Sequence, residues 1–480
     1  MVGQNDNVCV YGTNPLRDDS KLLKINPFSF PTDEIHILEH LDRLVEIFNV
    51  CWPMYAAMPA ILKDSIERAY IAAGWDLVKS KNKYSESLFP TFGDVMIQIK
   101  EVLNESDYSS DNKGDYTGSL VTRIKSLTNG INGLIFSSDE ILGKELFDEN
   151  VIVDLSRVGS TETKSLIMGL LILKLQEYRM QNSTPDTPLK HITVLEEAHN
   201  ILKRTSTEQS SEGSNLLGKS VEMLSNAIAE MRTYGEGFVI VDQSPNLLDM
   251  SVIRNTNTKI IMRLPDYEDR LLVGKAAGLS DDQIEELSRL EMGVASINQS
   301  GWIEPVLCKI ADFKCKGTLL KKFNNKERTY NNSSSGNENA DQFLMDLLMN
   351  KEIYRKCDRT DIEQLKSTII SSGLDATVKC EFLDYIYQNG ESSLESLRSL
   401  VYDFFGAAEA FEKNKDITTD FHEWVSGIVS KLSPSIEKYS NQSINLVISL
   451  IMYEHARRNV QYRPQLLRFT EEYMMKGKVI

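Results

Sequence analysis

Residues 191–199 read His-Ile-Thr-Val-Leu-Glu-Glu-Ala-His, an apolar run that ends in two adjacent carboxylates, Glu196 and Glu197. Ile192, Thr193 and Val194 are β-branched and favour extended backbone, so the run predicts a short buried strand. Working outward, residues 151–155 (VIVDL) form a second such run, followed by a helical pattern over 162–179 that is apolar on nearly all sides. Downstream come a helix ending near Tyr234, strands at 237–242 and 259–264, helices across 268–290, and strands at 293–297 and 303–307. Strands that alternate with helices imply an α/β fold built on a mostly parallel, doubly wound sheet.

The flanking sequence has a different character. Residues 1–31 hold two strand-like runs separated by turn formers (GTNPLRDD), the expected partial start of the same core. Residues 32–147 turn to helical spacing, with Asp33 as a cap, and are expected to form a helical insertion in the core of 148–312. Residues 313–342 become basic and then polar, which is linker composition, and 343–480 return to helical patterning as a C-terminal domain.

Composition narrows the function classes. The chain has 480 residues, 41% hydrophobic and 25% charged, which excludes disorder over most of its length. Its net charge of −16 argues against a surface that coats nucleic acid indiscriminately, while leaving room for a locally basic channel. Residues 165–173 (SLIMGLLIL) are the longest apolar stretch, far short of the roughly 20 residues that span a bilayer. The six cysteines are scattered without a CxxC pair, and no basic-apolar leader follows Met1, so a reducing cytoplasm is the expected setting.

Two acids at the carboxyl end of a parallel strand lie in the crevice where such sheets bind ligands. In a nucleotide-hydrolysing site this is the Walker B arrangement: Glu196 organises Mg²⁺ through its water shell, and Glu197 orients or deprotonates the attacking water. The plainer account is a strand running into a helix whose first turn favours acids. The next strand supports the first account, because it ends in Gln243-Ser244-Pro245 and puts an amide at a neighbouring strand tip, placed to sense a γ-phosphate. Arg232 stands at the helix end just before that strand, either as a finger toward a neighbouring subunit's nucleotide or simply as a cation at a helix C-terminus.

With these residues in view, the chain resembles the HerA-like ATPases, the HerA/FtsK group of ring-forming DNA motors with a RecA-like P-loop core. The resemblance is carried by residues 192–203 (ITVLEEAHNILK), 229–249 (AEMRTYGEGFVIVDQSPNLLD) and 252–270 (VIRNTNTKIIMRLPDYEDR), and covers about 22–310. It implies ATP and Mg²⁺ as cofactors, Glu196 on the metal side, Glu197 and Gln243 in hydrolysis, and Arg232 acting in trans. Arg254 is implied near the nucleotide or subunit interface, with Arg263 less firmly placed; either is equally a structural ion-pair partner. DNA threaded through a homo-oligomeric ring, a hexamer when complete, and a nuclease or defence effector are the implied partners. A non-catalytic subunit with an NTPase fold is the alternative role.

The pattern departs from the family at the phosphate cradle. The P-loop should precede the 22–28 segment (LLKINPF), and no such motif stands there. One formal GxxxxGK[ST] match exists, at 213–220 (GSNLLGKS), but it follows a polar stretch and the Walker B strand, so it reads as the lead into a helix. The expectation is therefore the C-terminal portion of such an ATPase, inactive alone. His36, Glu39 and His40 share a helix face in metal-ligand spacing, without further ligands, and read as a solvated face. The basic run Lys314, Lys316, Lys321, Lys322, Lys326 and Arg328 reads as linker or as a phosphate-backbone contact.

Overall fold

A computed structural model describes residues 8–15, 20–52, 54–204, 216–311, 366–367, 369–371, 374–387, 394–414, 420–432 and 441–475. The basic run between Lys314 and Arg328 and residues 213–215 lie outside them. Among the described residues ten strands run in chain order: β1 Val8–Gly12, β2 Lys21–Leu22, β3 Trp75–Asp76, β4 Lys81–Asn82, β5 Asn150–Asp154, β6 His191–Glu196, β7 Glu236–Val241, β8 Thr258–Ile261, β9 Val294–Gln299 and β10 Val306–Lys309. The chain divides into two compact units, one of residues 1–67, 99–135 and 140–328, the other of 68–98, 136–139 and 329–480. Residues 32–147, read from the sequence as one insertion, are thus shared between them.

The first unit is α/β. Strands β2, β1 and β5 pair in that order, all parallel, and β6 pairs with β7 in parallel, His191 opposite Glu236 through Glu196 opposite Val241. The last three strands depart from the doubly wound expectation, forming an antiparallel sheet β10-β9-β8. The link from β9 to β10 is too short for a parallel crossover, and Gly301, at φ +99, supplies the reversed backbone of the turn.

Helix Thr161–Asn182 is the spine of this unit. Ser160 caps it by accepting from the Thr163 amide at 3.3 Å, Glu162 and Arg179 suit its two ends, and it buries Leu166, Leu170, Ile172 and Leu173. At Gly169 a side chain would meet Ile47 Cγ2 at 2.8 Å and Ile201 Cδ1 at 3.0 Å, so glycine permits the close approach of helix Ile37–Cys51. That second helix begins at Ile37, capped by His36 rather than Asp33, and its His40 corrects the solvated-face reading: it is buried, 2.8 Å from Glu177 Oε1. Its apolar neighbours could not show that a carboxylate from residue 177 would meet it.

An ion cluster ties the spine to the base of the parallel pair. Glu236, with no exposed side-chain surface, accepts from Arg179 Nε at 2.9 Å, His191 Nδ1 at 2.8 Å and Thr193 Oγ1 at 2.6 Å, while Arg179 also reaches Asp148 at 2.7 Å. Burial pushes the Glu236 carboxyl up, but the bonds from His191, Thr193 and Arg179 outweigh it and hold the group below its ordinary value.

Among its described residues the second unit is helical apart from the β3–β4 hairpin, with a core that includes Tyr402, Phe411, Trp424, Val447 and Ile451. Asp94 joins its distant segments by accepting from the amides of Ala376 and Thr377, each at 2.9 Å, at the start of helix Ala376–Tyr387. No described helix is long and apolar enough to cross a membrane.

Glu236→Gln should lower unfolding stability by about 3 kcal/mol at neutral pH, because Arg179 is left buried with a weakened partner. A depressed carboxyl stabilises the fold above its unfolded value and loses that contribution as pH falls through the folded one, so urea titrations should show the wild-type advantage shrinking below about pH 4.5. A pH-independent difference would contradict the ion-cluster account.

Candidate functional site at the carboxyl end of β6

Alternation along β6 and its register with β7 sort the side chains. His191, Thr193 and Leu195 share one face with Glu236, Phe238 and Ile240, turned toward the spine helix, and Ile192, Val194 and Glu196 share the other with Val239 and Val241. The register carries β6 to Glu196 and β7 to Val241, so the residues just past both ends meet. Gln243 Nε2 donates to Glu197 Oε1 at 3.3 Å, the neighbouring-strand juxtaposition expected from the sequence.

Glu197 leaves the strand abruptly. Its backbone adopts the left-handed conformation, φ 52 and ψ 46, which costs a non-glycine residue roughly 1–2 kcal/mol. The surroundings enforce it: the Glu197 carbonyl accepts from the Asn200 amide at 2.9 Å and from Asn200 Nδ2 at 2.8 Å, while Ala198, Ile201 and Leu202 are fully buried. The kink breaks the strand alternation, turning Glu197 away from the direction the next strand residue would take. Glu196 and Gln243 are exposed, and the Glu197 side chain is 41% exposed.

Two further residues join the site. Asp242 Oδ2 accepts from the His199 backbone amide and lies 2.9 Å from His199 Nδ1, Asp242 Oδ1 accepts from the Ser244 amide at 2.9 Å, and the Asp242 side chain is only 3% exposed. His199 Nδ1 also lies 3.6 Å from Glu197 Oε2, so the imidazole is hydrogen-bonded to Asp242 and stands beside the Glu197 carboxylate without bonding it. Sequence reasoning quoted both residues and assigned neither. The available signal was their position, His199 one helical turn past Glu196 and Asp242 at the tip of β7.

The remaining candidates are placed elsewhere. Arg232 lies exposed in the turn Met231–Tyr234 before β7, about 20 Å from Gln243 at the strand's other end by its length. Arg254 ends helix Met250–Asn255, and Arg263 follows β8, both exposed and neither bonded to the carboxylates among the described residues. In the 213–220 match, Ser220 is fully buried in helix Leu216–Glu230 and its hydroxyl bonds the Glu46 carboxylate, which occupies the group a P-loop offers to a metal. His36, Glu39 and His40 do not converge: Glu39 pairs with Arg43 at 2.6 Å, and no group of three or more metal-binding side chains assembles among the described residues.

No family profile matches the sequence. Curated relatives do. The chain is 23% identical over 297 residues to the DNA double-strand break repair helicase HerA of Sulfurisphaera tokodaii, covering 61% of this chain and 55% of that protein. It is 24% identical over 243 residues to the protein of the same name from Saccharolobus solfataricus, covering 50% and 47%. The chain is related to the HerA/FtsK-like P-loop ATPases. It spans about half the length of these HerA relatives. Solved structures of similar course include VirB4 of Thermoanaerobacter pseudethanolicus, with a TM-score of 0.47 at 13% identity over 64% of this chain and 82% of that one, and the plasmid coupling protein TrwB, with 0.40 at 8% over 66% and 77%.

The strain at position 197 is measurable without activity. Both Glu197→Gly and Glu197→Ala remove the carboxylate, yet only glycine relaxes the left-handed backbone, so the glycine variant should be the more stable by about 1 kcal/mol. Equal thermal midpoints would show that position 197 is unstrained.

Proposed function

We propose that this chain supplies the hydrolytic half of a HerA-like, ring-forming ATPase that couples ATP hydrolysis to DNA translocation or remodelling. The observation that carries this reading is Glu197, kinked off the end of a parallel strand and held by Gln243 from the neighbouring strand. Local strain of this kind concentrates at functional sites, where it aims a side chain that regular strand geometry would misdirect.

The residues fit a magnesium nucleotide in part. Two exposed carboxylates and an amide at the carboxyl end of parallel strands suit the metal and water side, whereas the described residues include no glycine-rich phosphate cradle. Bound there, Mg-ATP would supply the phosphoryl electrophile and the cation that offsets its charge. Glu196 would hold metal-bound water at the strand end. Glu197 would accept the proton of the attacking water, its carboxylate held by Gln243, with the His199–Asp242 pair alongside. Gln243 links Glu197 to the position of the transferred group. Arg232, at the far end of β7 and exposed, would reach a nucleotide on a neighbouring subunit in a ring assembly; otherwise it is a cation at a helix end.

A cradle outside these residues predicts that the isolated 480-residue chain shows no magnesium-dependent ATP turnover above background, with or without DNA. Turnover that Glu197→Gln abolishes would instead place the phosphate cradle within this chain and return attention to residues 213–220.

A further inference from the structure

Glu197 and Gln243 meet through one hydrogen bond of 3.3 Å between solvent-facing side chains. Water competes for such a bond, so it follows the placement of the two loops rather than setting it. The residue beside Gln243 is different in kind. Asp242 continues the row Glu236, Phe238, Ile240 on the face turned toward the spine helix, and its side chain is only 3% exposed. Its two oxygens serve different segments. Oδ2 accepts from the His199 amide at 2.9 Å and lies 2.9 Å from the His199 ring, while Oδ1 accepts from the Ser244 amide at 2.9 Å. One carboxylate thus grips the residue two past Glu197 and the residue one past Gln243.

We infer that Asp242 is the positioning residue of this site: it ties the loop after β6 to the loop after β7, and that tie sets the Glu197–Gln243 contact and keeps Glu197 in its left-handed backbone. What the contact is for rests on the hydrolytic reading above; the tie itself does not. For residues 197–201, the hydrogen bonds to the loop after β7 among the described residues are those of Asp242 and Gln243. From Leu202 onward the backbone takes over, with the Asp249 amide on the Leu202 carbonyl at 2.9 Å and the Arg204 amide on the Leu247 carbonyl at 2.7 Å. The second loop is anchored in turn, since the Asn246 amide donates at 2.8 Å to Asp269, buried in helix Tyr267–Ala276. Asp242 therefore holds the near end of a zip whose far end is fixed by main chain. A buried carboxylate is stable only where donors reach it, so its hydrogen bonds resist the sliding that a bond between exposed side chains would allow. Glu197 is accordingly held from two directions, its carbonyl by Asn200 and the loop two residues on by Asp242.

The test is amide hydrogen exchange on the full 480-residue chain, read residue by residue by mass spectrometry with electron-transfer fragmentation. Asp242→Asn keeps an acceptor for the Ser244 amide but sets an amino group against the His199 amide, so it cuts the tie between the loops. The informative amide is that of Asn200, which is bonded to the Glu197 carbonyl and not to Asp242. Its exchange should rise about tenfold or more as Glu197 relaxes, while the amides of the β6–β7 ladder keep their wild-type rates. Asp242→Ser, whose hydroxyl can still accept from the Ser244 amide, should do the same and serves if Asp242→Asn does not fold. An Asn200 amide that stays protected in a folded variant, or one that speeds up only together with the ladder, would overturn the inference. Exchange is read without nucleotide, so the two readings fail separately. If Asn200 responds as expected but ATP turnover in any assembly of this chain survives Glu197→Gln, the tie stands and the hydrolytic assignment fails.

Discussion

The buried Glu236 carboxylate is the constraint on which the rest of the α/β unit depends. It satisfies Arg179 from the spine helix, His191 and Thr193 from β6, and it begins β7 itself. A charge without water tolerates only an arrangement in which its partners all reach it, so one residue sets the height of β6 against β7 and of both against the helix. A one-residue slip would turn Glu236 to the opposite face, away from all three. The consequence appears at the other end of the strands, where the same register lets Gln243 meet Glu197. The base of the sheet thereby holds the geometry of its carboxyl edge.

The edge shows how local strain is held. Glu197 keeps an unfavourable backbone because its carbonyl is doubly bonded by Asn200 and because the next residues are anchored in the core. Asp242 adds a second anchor through the backbone and ring of His199. The four polar groups thus form a connected set in which each member limits the freedom of another, as in sites whose groups must be oriented before substrate arrives.

Much of this was legible in the chain. The apolar runs at β5, β6 and β7 and the helix between β5 and β6 declare themselves by period and length, and the carboxylates at the end of β6 follow from the same reading. Less was visible wherever long-range pairing decides. His40 lies on an ordinary helical stripe, and only Glu177 makes it a buried ion partner. Asp94 accepts from the amides of Ala376 and Thr377, partners about 280 positions away that no local pattern indicates. The strands β8 to β10 read as further parallel strands, yet they pair antiparallel, β9 with β10 through the short turn at Gly301 and β8 with β9 across the longer helical connection.

The sequence by itself determined the strands β5, β6 and β7, the helix between β5 and β6, and which residues stand at the carboxyl end of β6, because periodicity and side-chain type are local properties. Tertiary structure alone decided that Glu197 is left-handed and that His199 and Asp242 join it. It also decided that, among the described residues, one face of the parallel pair is left exposed. Ile192 and Val194 look as core-like in the chain as Leu195 does; the difference lies in what packs above each face, and burial is a property of neighbours that no single strand encodes.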